Sequence, residues 1–132
     1  VGANFNYTTG RPRNSFGFHP TDKFASLYQA ESFVKDGQLV SRGSEGRTPN
    51  TWQLDLSVSY DYMWDDNKVN FRADIFNVTN NDKATQFNEE NERYSSYDSE
   101  FGGYRGVPEP TYGLAESFQK PRYVRFSVSA EF

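Results

Sequence analysis

The sequence has no cysteine, one histidine and one methionine. Without cysteine there is no disulfide framework and no thiolate metal site. With His19 alone, a histidine-based triad or a multi-histidine metal centre is excluded within the chain. There is no basic excess either. The net charge is -4 and the pI about 5.0, which argues against a nucleic-acid surface. No run approaches 18 apolar residues, so no transmembrane helix is expected. A transmembrane β-strand stays open, because its signal is only about 10 alternating residues. Val1-Gly2-Ala3-Asn4 lacks the basic and apolar regions of a secretory signal. The expectation is that a signal has been removed or that the chain is a piece of a longer one. Hydrophobic content is low, at 35%, and mean hydropathy is -0.88. That combination often marks disorder, but disordered chains are poor in aromatics. Here 17% of residues are aromatic, with 12 Phe and 9 Tyr. Such a composition fits strands that bury one side, joined by polar loops.

Four segments alternate. In the first, about residues 1–9, Val1, Ala3, Phe5 and Tyr7 share a side. The second, 52–64, is the clearest: Trp52, Leu54, Leu56, Val58, Tyr60, Tyr62 and Trp64 against Gln53, Asp55, Ser57, Ser59, Asp61 and Met63. A helix would put residues 52, 54 and 56 on different faces, so the period of two predicts a strand. Asp65-Asp66-Asn67-Lys68 reads as a hairpin turn. The third segment, 69–78, sets Val69, Phe71, Ala73 and Ile75 against Asn70, Arg72 and Asp74. The fourth, 122–132, sets Val124, Phe126, Val128, Ala130 and Phe132 against Arg125, Ser127, Ser129 and Glu131. Long loops, 10–51 and 79–121, separate the first from the second and the third from the fourth. Thr21 to Phe33 is a candidate short helix inside the first loop, from Phe24, Leu27 and Tyr28 at helical spacing.

The fold class expected is all-β and antiparallel. Followed up and down, the chain sends both long loops to one side and its short turn to the other. Outer-membrane barrels have that asymmetry, with aromatic girdles at both interfaces. In the second strand Trp52 stands at one end and Tyr60, Tyr62 and Trp64 at the other, with aliphatic residues between. Aromatic rings favour the headgroup level, aliphatic groups the hydrocarbon. At about 3.3 Å per residue and a tilt of roughly 40°, this strand is long enough to span a bilayer. On this reading Leu54, Leu56, Val58, Phe71, Ile75, Val124, Phe126, Val128 and Phe132 face lipid. Trp52, Tyr60, Tyr62 and Trp64 form the interface girdle. A soluble antiparallel sheet also alternates apolar-in and polar-out. A soluble binding module for carbohydrate or peptide, with Trp52 and Trp64 in a core, is therefore the alternative.

Four stretches carry a family resemblance: Gly10-Arg11-Pro12; Gly46-Arg47-Thr48-Pro49 leading into Gln53-Leu54-Asp55-Leu56-Ser57-Val58-Ser59-Tyr60; Ala73-Asp74-Ile75-Phe76-Asn77-Val78-Thr79-Asn80; and Pro121-Arg122-Tyr123-Val124-Arg125-Phe126 with terminal Phe132. In order and spacing the chain resembles the C-terminal end of the barrel of TonB-dependent outer-membrane receptors, most closely the Oar-like subgroup. The resemblance implies a single segment, 1–132, that contributes about four antiparallel transmembrane strands to a larger barrel, with two long extracellular loops. It implies uptake of a nutrient ligand across the bacterial cell outer membrane and no enzymatic activity. The partners implied are the remainder of the receptor (plug and other barrel strands), the TonB complex through an N-terminal part outside these residues, and outer-membrane lipid.

The second loop offers the candidate ligand surface. Between residues 80 and 110 lie seven carboxylates against three cations. Such a cluster reads either as a Ca²⁺ or ligand surface or as a solvated loop. No EF-hand spacing is present, and no metal or cofactor is assigned. Tyr94, Tyr97, Asp98, Glu100, Phe101 and Tyr104 are the candidate ligand-binding residues, since tyrosines beside glycine and serine resemble adaptable recognition surfaces. Asn6-Tyr7-Thr8 and Asn77-Val78-Thr79 match the glycosylation pattern, but both fall on expected strands and carry no assignment. No constellation reads as catalytic.

Overall fold

A computed structural model of the chain describes residues 1–22 and 31–131, without the side chains of Tyr94 and Ser95. The described residues are 58% strand, without helix, in antiparallel sheets. In chain order the strands are β1 (Gly2–Thr8), β2 (Phe16–Gly17), β3 (Ser32–Lys35), β4 (Gln38–Leu39), β5 (Thr51–Trp64), β6 (Asn67–Phe76), β7 (Ala84–Phe87), β8 (Glu92–Asp98), β9 (Gly103–Pro108), β10 (Ala115–Phe118) and β11 (Tyr123–Glu131). They fall into two compact units.

The first unit, Val1–Thr9 with Asn50–Lys83 and Gln119–Phe132, is a four-stranded sheet in the order β1-β5-β6-β11. It forms no closed barrel among the described residues. Its strands lie where the alternating segments predict strands. The turn is shorter than the four residues expected: Trp64 pairs with Asn67 and Met63 with Lys68, leaving Asp65-Asp66 as a two-residue loop. Tight hairpins of this kind take a left-handed residue, and Asp65 provides it at φ 52.

The register assigns the faces. Phe5 lies opposite Leu54 and Tyr7 opposite Trp52. Leu56 lies opposite Ile75, and Tyr60 opposite Phe71. Val124 pairs with Ile75 and Val128 with Phe71. Directly paired residues share a face, so the apolar sets of all four strands coincide on one side. The polar sets coincide on the other.

One end of this sheet is stapled by Asn77. The residue is 1% exposed and its backbone is left-handed, at φ 51. Its N–H donates to Asp55 Oδ1 on β5 at 2.9 Å, and its Nδ2 donates to the carbonyls of Asn81 at 2.9 Å and Lys120 at 2.8 Å. Its Oδ1 accepts from the Asn81 N–H at 3.0 Å, and Asn80 Oδ1 accepts the Arg122 N–H at 2.9 Å. Phe76 stacks on Tyr123 with centroids 4.5 Å apart. The exit of β6 is thereby tied to both neighbouring strands. This burial also closes Asn77 to glycosylation in the folded chain.

The second unit, Gly10–Pro49 with Ala84–Phe118, corresponds to the expected loops. It holds three small sheets, β2-β3-β4, β7-β10 and β8-β9. Asp36-Gly37, both left-handed at φ 49 and 73, turn β3 into β4. Among the described residues, Phe18 and Val34 are its buried apolar side chains, and Ser15 donates its hydroxyl to the Val34 carbonyl at 2.6 Å. Polar bonds complete the assembly: Glu92 accepts the Phe18 N–H at 3.0 Å, and Glu89 receives Arg11 at 2.6 Å and Asn14 at 2.9 Å. The candidate helix Thr21–Phe33 falls mostly on residues 23–30, outside the described residues. Its end is not helical, because Ser32 and Phe33 belong to β3, where Phe33 pairs with Phe16.

Replacing Asn77 by alanine removes the amide and leaves the Asn81 and Lys120 carbonyls without its donors. The expected loss is about 2–3 kcal/mol, read as a lower midpoint in urea unfolding. Asn77→Gly relieves the left-handed backbone and should recover only part of it. A midpoint unchanged in Asn77→Ala would remove the staple from the account.

Candidate functional site

Two regions bring chemistry-bearing side chains together. The first is the polar face of the four-stranded sheet. Asp74, 4% exposed, is held between two guanidinium groups. Arg72 Nε donates to its Oδ1 at 2.8 Å, and Arg125 donates to its Oδ2 through Nε at 3.3 Å and Nη2 at 2.9 Å. The period of two places Arg72 and Asp74 on one face, and the β6–β11 register sets Arg125 directly opposite Asp74. Arg125 also lies over the Phe76 ring at 5.2 Å. Nearby, Asp55 accepts from Gln53 Nε2 at 2.7 Å as well as from the Asn77 N–H. Toward the hairpin end, Asp61 pairs with Lys68 at 3.0 Å and receives Asn70 at 2.5 Å. The sequence marks these charges as one-sided; their convergence on Asp74 depends on the pairing register, which is not visible in it.

The second is the β8–β9 hairpin of the other unit. Tyr97 pairs with Tyr104 across it, ring centroids 5.4 Å apart and edge to face. Asp98 begins its turn. Its Oδ1 accepts the N–H of Glu100 at 2.9 Å and of Phe101 at 3.1 Å, and its Oδ2 takes Arg105 at 2.5 Å. Arg105 in turn lies 4.7 Å above the Phe101 ring. These backbone N–H groups, with the Arg105 cation, hold the Asp98 carboxyl below the usual carboxylate range. The hairpin therefore gathers Tyr97, Asp98, Glu100, Phe101 and Tyr104, but gives Asp98 an internal task. Tyr97 is 61% exposed at the surface. The side chain of Tyr94 lies outside the described residues.

Other carboxylates of the acidic stretch are similarly engaged. Glu109 is bound by the Thr111 hydroxyl at 2.7 Å and by the Thr111 N–H at 3.1 Å, which lowers its pKa. Glu31 is shifted the other way, upward, by burial and then by the nearby charge of Glu90. Among the described residues, no three carboxylate or imidazole groups converge to hold a metal ion. His19 accepts or donates within its own turn, its Nδ1 lying 2.8 Å from the Thr21 hydroxyl.

The resemblance stretches meet two by two. Gly10-Arg11-Pro12 clasps Gly46-Arg47-Thr48-Pro49. The Arg11 N–H donates to Thr48 Oγ1 at 3.0 Å, the Thr48 N–H donates back to the Arg11 carbonyl at 2.9 Å, and Arg47 donates to the Gly10 carbonyl. A Cβ at Gly10 would stand 1.7 Å from the Thr48 carbonyl oxygen, so only glycine fits. Asn77 and Asn80 meet Lys120 and Arg122 at the staple described above.

The apolar face completes the picture. Val58, Tyr60, Tyr62, Trp64, Phe71, Val124, Phe126 and Val128 are all exposed, Phe126 at 79%, and nothing among the described residues covers them. Trp52 lies at the opposite end from Tyr60, Tyr62 and Trp64, and Leu54, Leu56 and Ile75 are half-buried between. Phe132 lies outside the described residues. No protein-family model, curated protein or solved structure matches the chain.

The Asp98 turn has a pH signature. A carboxyl with a lowered folded pKa contributes its full stabilisation above the unfolded value, about 3.9, and loses it as pH falls through the folded value. Amide exchange at Glu100 and Phe101 should therefore quicken as pH drops below about 4, after correction for intrinsic exchange rates. In Asp98→Asn that pH dependence should vanish. Equal pH dependence in both proteins would refute the assignment.

Proposed function

We propose that the four-stranded sheet is a stretch of transmembrane β-barrel wall in the bacterial outer membrane, the C-terminal part of a TonB-dependent receptor that takes up a nutrient ligand. The observation that carries this reading is the uncovered apolar face. Isolated large apolar side chains at a surface need no explanation, but a contiguous patch spanning four strands does. Lipid answers that need, and the banding agrees with it: aliphatic residues and Phe126 at mid-strand, tyrosine and tryptophan rings toward the ends. The charged opposite face then lines the lumen. Four strands are fewer than the roughly eight that a barrel needs, so β1 and β11 require further strands, taken to be the rest of the receptor.

On this reading the second unit is extracellular, because both excursions leave the sheet at its Trp52 end. The β8–β9 hairpin, with Tyr97, Phe101 and Tyr104, is its candidate ligand surface. The role is transport and not catalysis. A soluble module for carbohydrate or peptide is the second reading, favoured by the compact second unit with its own buried side chains and aromatic hairpin. That reading requires protein to cover Val58, Phe126 and Val128. Recovery of folded, monomeric chain from buffer without detergent would select it.

The facing is open to a direct test. Val128→Arg sets a cation on the apolar face and should cost about 2–4 kcal/mol of stability in bilayers. Ser127→Arg sets it on the polar face and should cost far less. Reversible unfolding from lipid vesicles measures both, and equal losses would end the membrane assignment.

A further inference from the structure

The polar face carries a recess of about 270 Å³ beside the Asp74 cluster, lined by Arg72 and Arg125 as well as by Asp55 and Asp74. Across the four strands one register row reads Gly2, Ser57, Asp74, Arg125. The first two contribute almost no side chain, so the row is low on the β1 side and built up on the β11 side. A Cβ at Gly2 would stand 2.7 Å from Ser57 Oγ, so a larger residue there would crowd this floor. Phe76, stacked on Tyr123, forms a wall, and Asn4 and Asp55 close another side.

Both carboxylates in the recess are already engaged. Asp74 receives three N–H groups from two arginines, and Asp55 receives the Asn77 backbone and the Gln53 amide. The donors are not exhausted. A guanidinium offers five N–H groups. Arg72 bonds through Nε alone, which leaves both terminal nitrogens, and Arg125 retains Nη1. Their side chains are 51% and 59% exposed, so these donors are reachable from the recess. The bonds to Asp74 limit where the two forks can point, and Arg125 is further held over the Phe76 ring.

We propose that this recess is a binding site for a carboxylate, received by the terminal nitrogens of Arg72 with Arg125 alongside. Both oxygens of Asp74, the carboxylate between the two arginines, are already bonded, so a further carboxylate for their spare donors comes from outside. A planar two-oxygen acid matches a guanidinium fork better than a point anion does. The site lies wholly on the polar face, so it does not depend on what covers the apolar one. The carboxylate has two possible sources, a small soluble acid or an acidic side chain of a polypeptide segment lying against this face.

The test uses the whole chain, folded and labelled with ¹⁵N-arginine, titrated at constant ionic strength. Three probes are used: succinate, the capped tripeptide Ala-Glu-Ala, and its Ala-Gln-Ala counterpart. The expected result is a saturable shift of the Arg72 and Arg125 Nε–Hε signals with succinate or the glutamate peptide and none with the glutamine peptide. Which of the two saturates identifies the source. In Arg72→Gln the affinity should fall roughly tenfold or more, as for loss of one charge-assisted pair. Should that variant not fold, Arg72→Lys keeps the charge and removes the fork, and should weaken binding too. Non-saturating shifts, equal binding of the glutamine peptide, or undiminished affinity in the folded variant would overturn the site.

Discussion

Everything in the four-stranded sheet depends on register. Side chains alternate with a period of two, so a slip by one residue would move a strand's apolar set to the charged side and its charges to the apolar side. The molecule fixes this at one end with a single buried residue, through both its backbone N–H and its side-chain amide. Asn77 bonds to Asp55 on β5 and to the segment entering β11, and so sets β6 against both neighbours at once. At the other end the Asp65-Asp66 turn holds β5 and β6 in the same alignment. The Asp74 cluster sits between and is a product of that alignment, since only this pairing brings Arg125 opposite Asp74.

The two faces were legible in the sequence because the strands that make them are long and regular. Trp52 to Trp64 alternates without interruption on its apolar side, and β11 does the same. The second unit was not legible. Its strands run from two to seven residues, β9 is broken by glycines and ends on a proline, and none offers a sustained period. It is held by bonds between residues distant in the chain, such as Glu92 to the Phe18 N–H and Arg11 to Glu89. Such pairs leave no local pattern. The Asp36-Gly37 turn was the one strong local signal there, a dipeptide that favours tight hairpins. The helical spacing that suggested a helix from Thr21 was weaker than the Phe16–Phe33 pairing that puts the end of that segment in a sheet.

The candidate ligand residues show what residue type alone leaves out. Asp98 reads as an exposed acid near tyrosines, a natural contact for a ligand. Its carboxylate also closes a turn and holds Arg105, which in turn covers Phe101. Tyr97 stays accessible. Conversely, Arg72 and Arg125 read as ordinary polar-side charges, and only the recess beside them gives their spare donors a direction. The four stretches that carry the sequence resemblance are joints: two of them clasp one another, and two more meet at the Asn77 staple.

The clasp between Gly10-Arg11-Pro12 and Gly46-Arg47-Thr48-Pro49 has a further consequence. By joining the two ends of the first excursion where it leaves and re-enters the strands, it makes that excursion's interior a cassette. Closure entropy rises only slowly with the length of a loop whose ends are already held together. A change of length at the exposed Asp36-Gly37 turn inside the excursion is thus separated from the strand ends by the clasp, while Phe18 and Val34 stay tied into the core of the second unit. A scaffold with such a seam can vary that turn and leave its pairing register as it was.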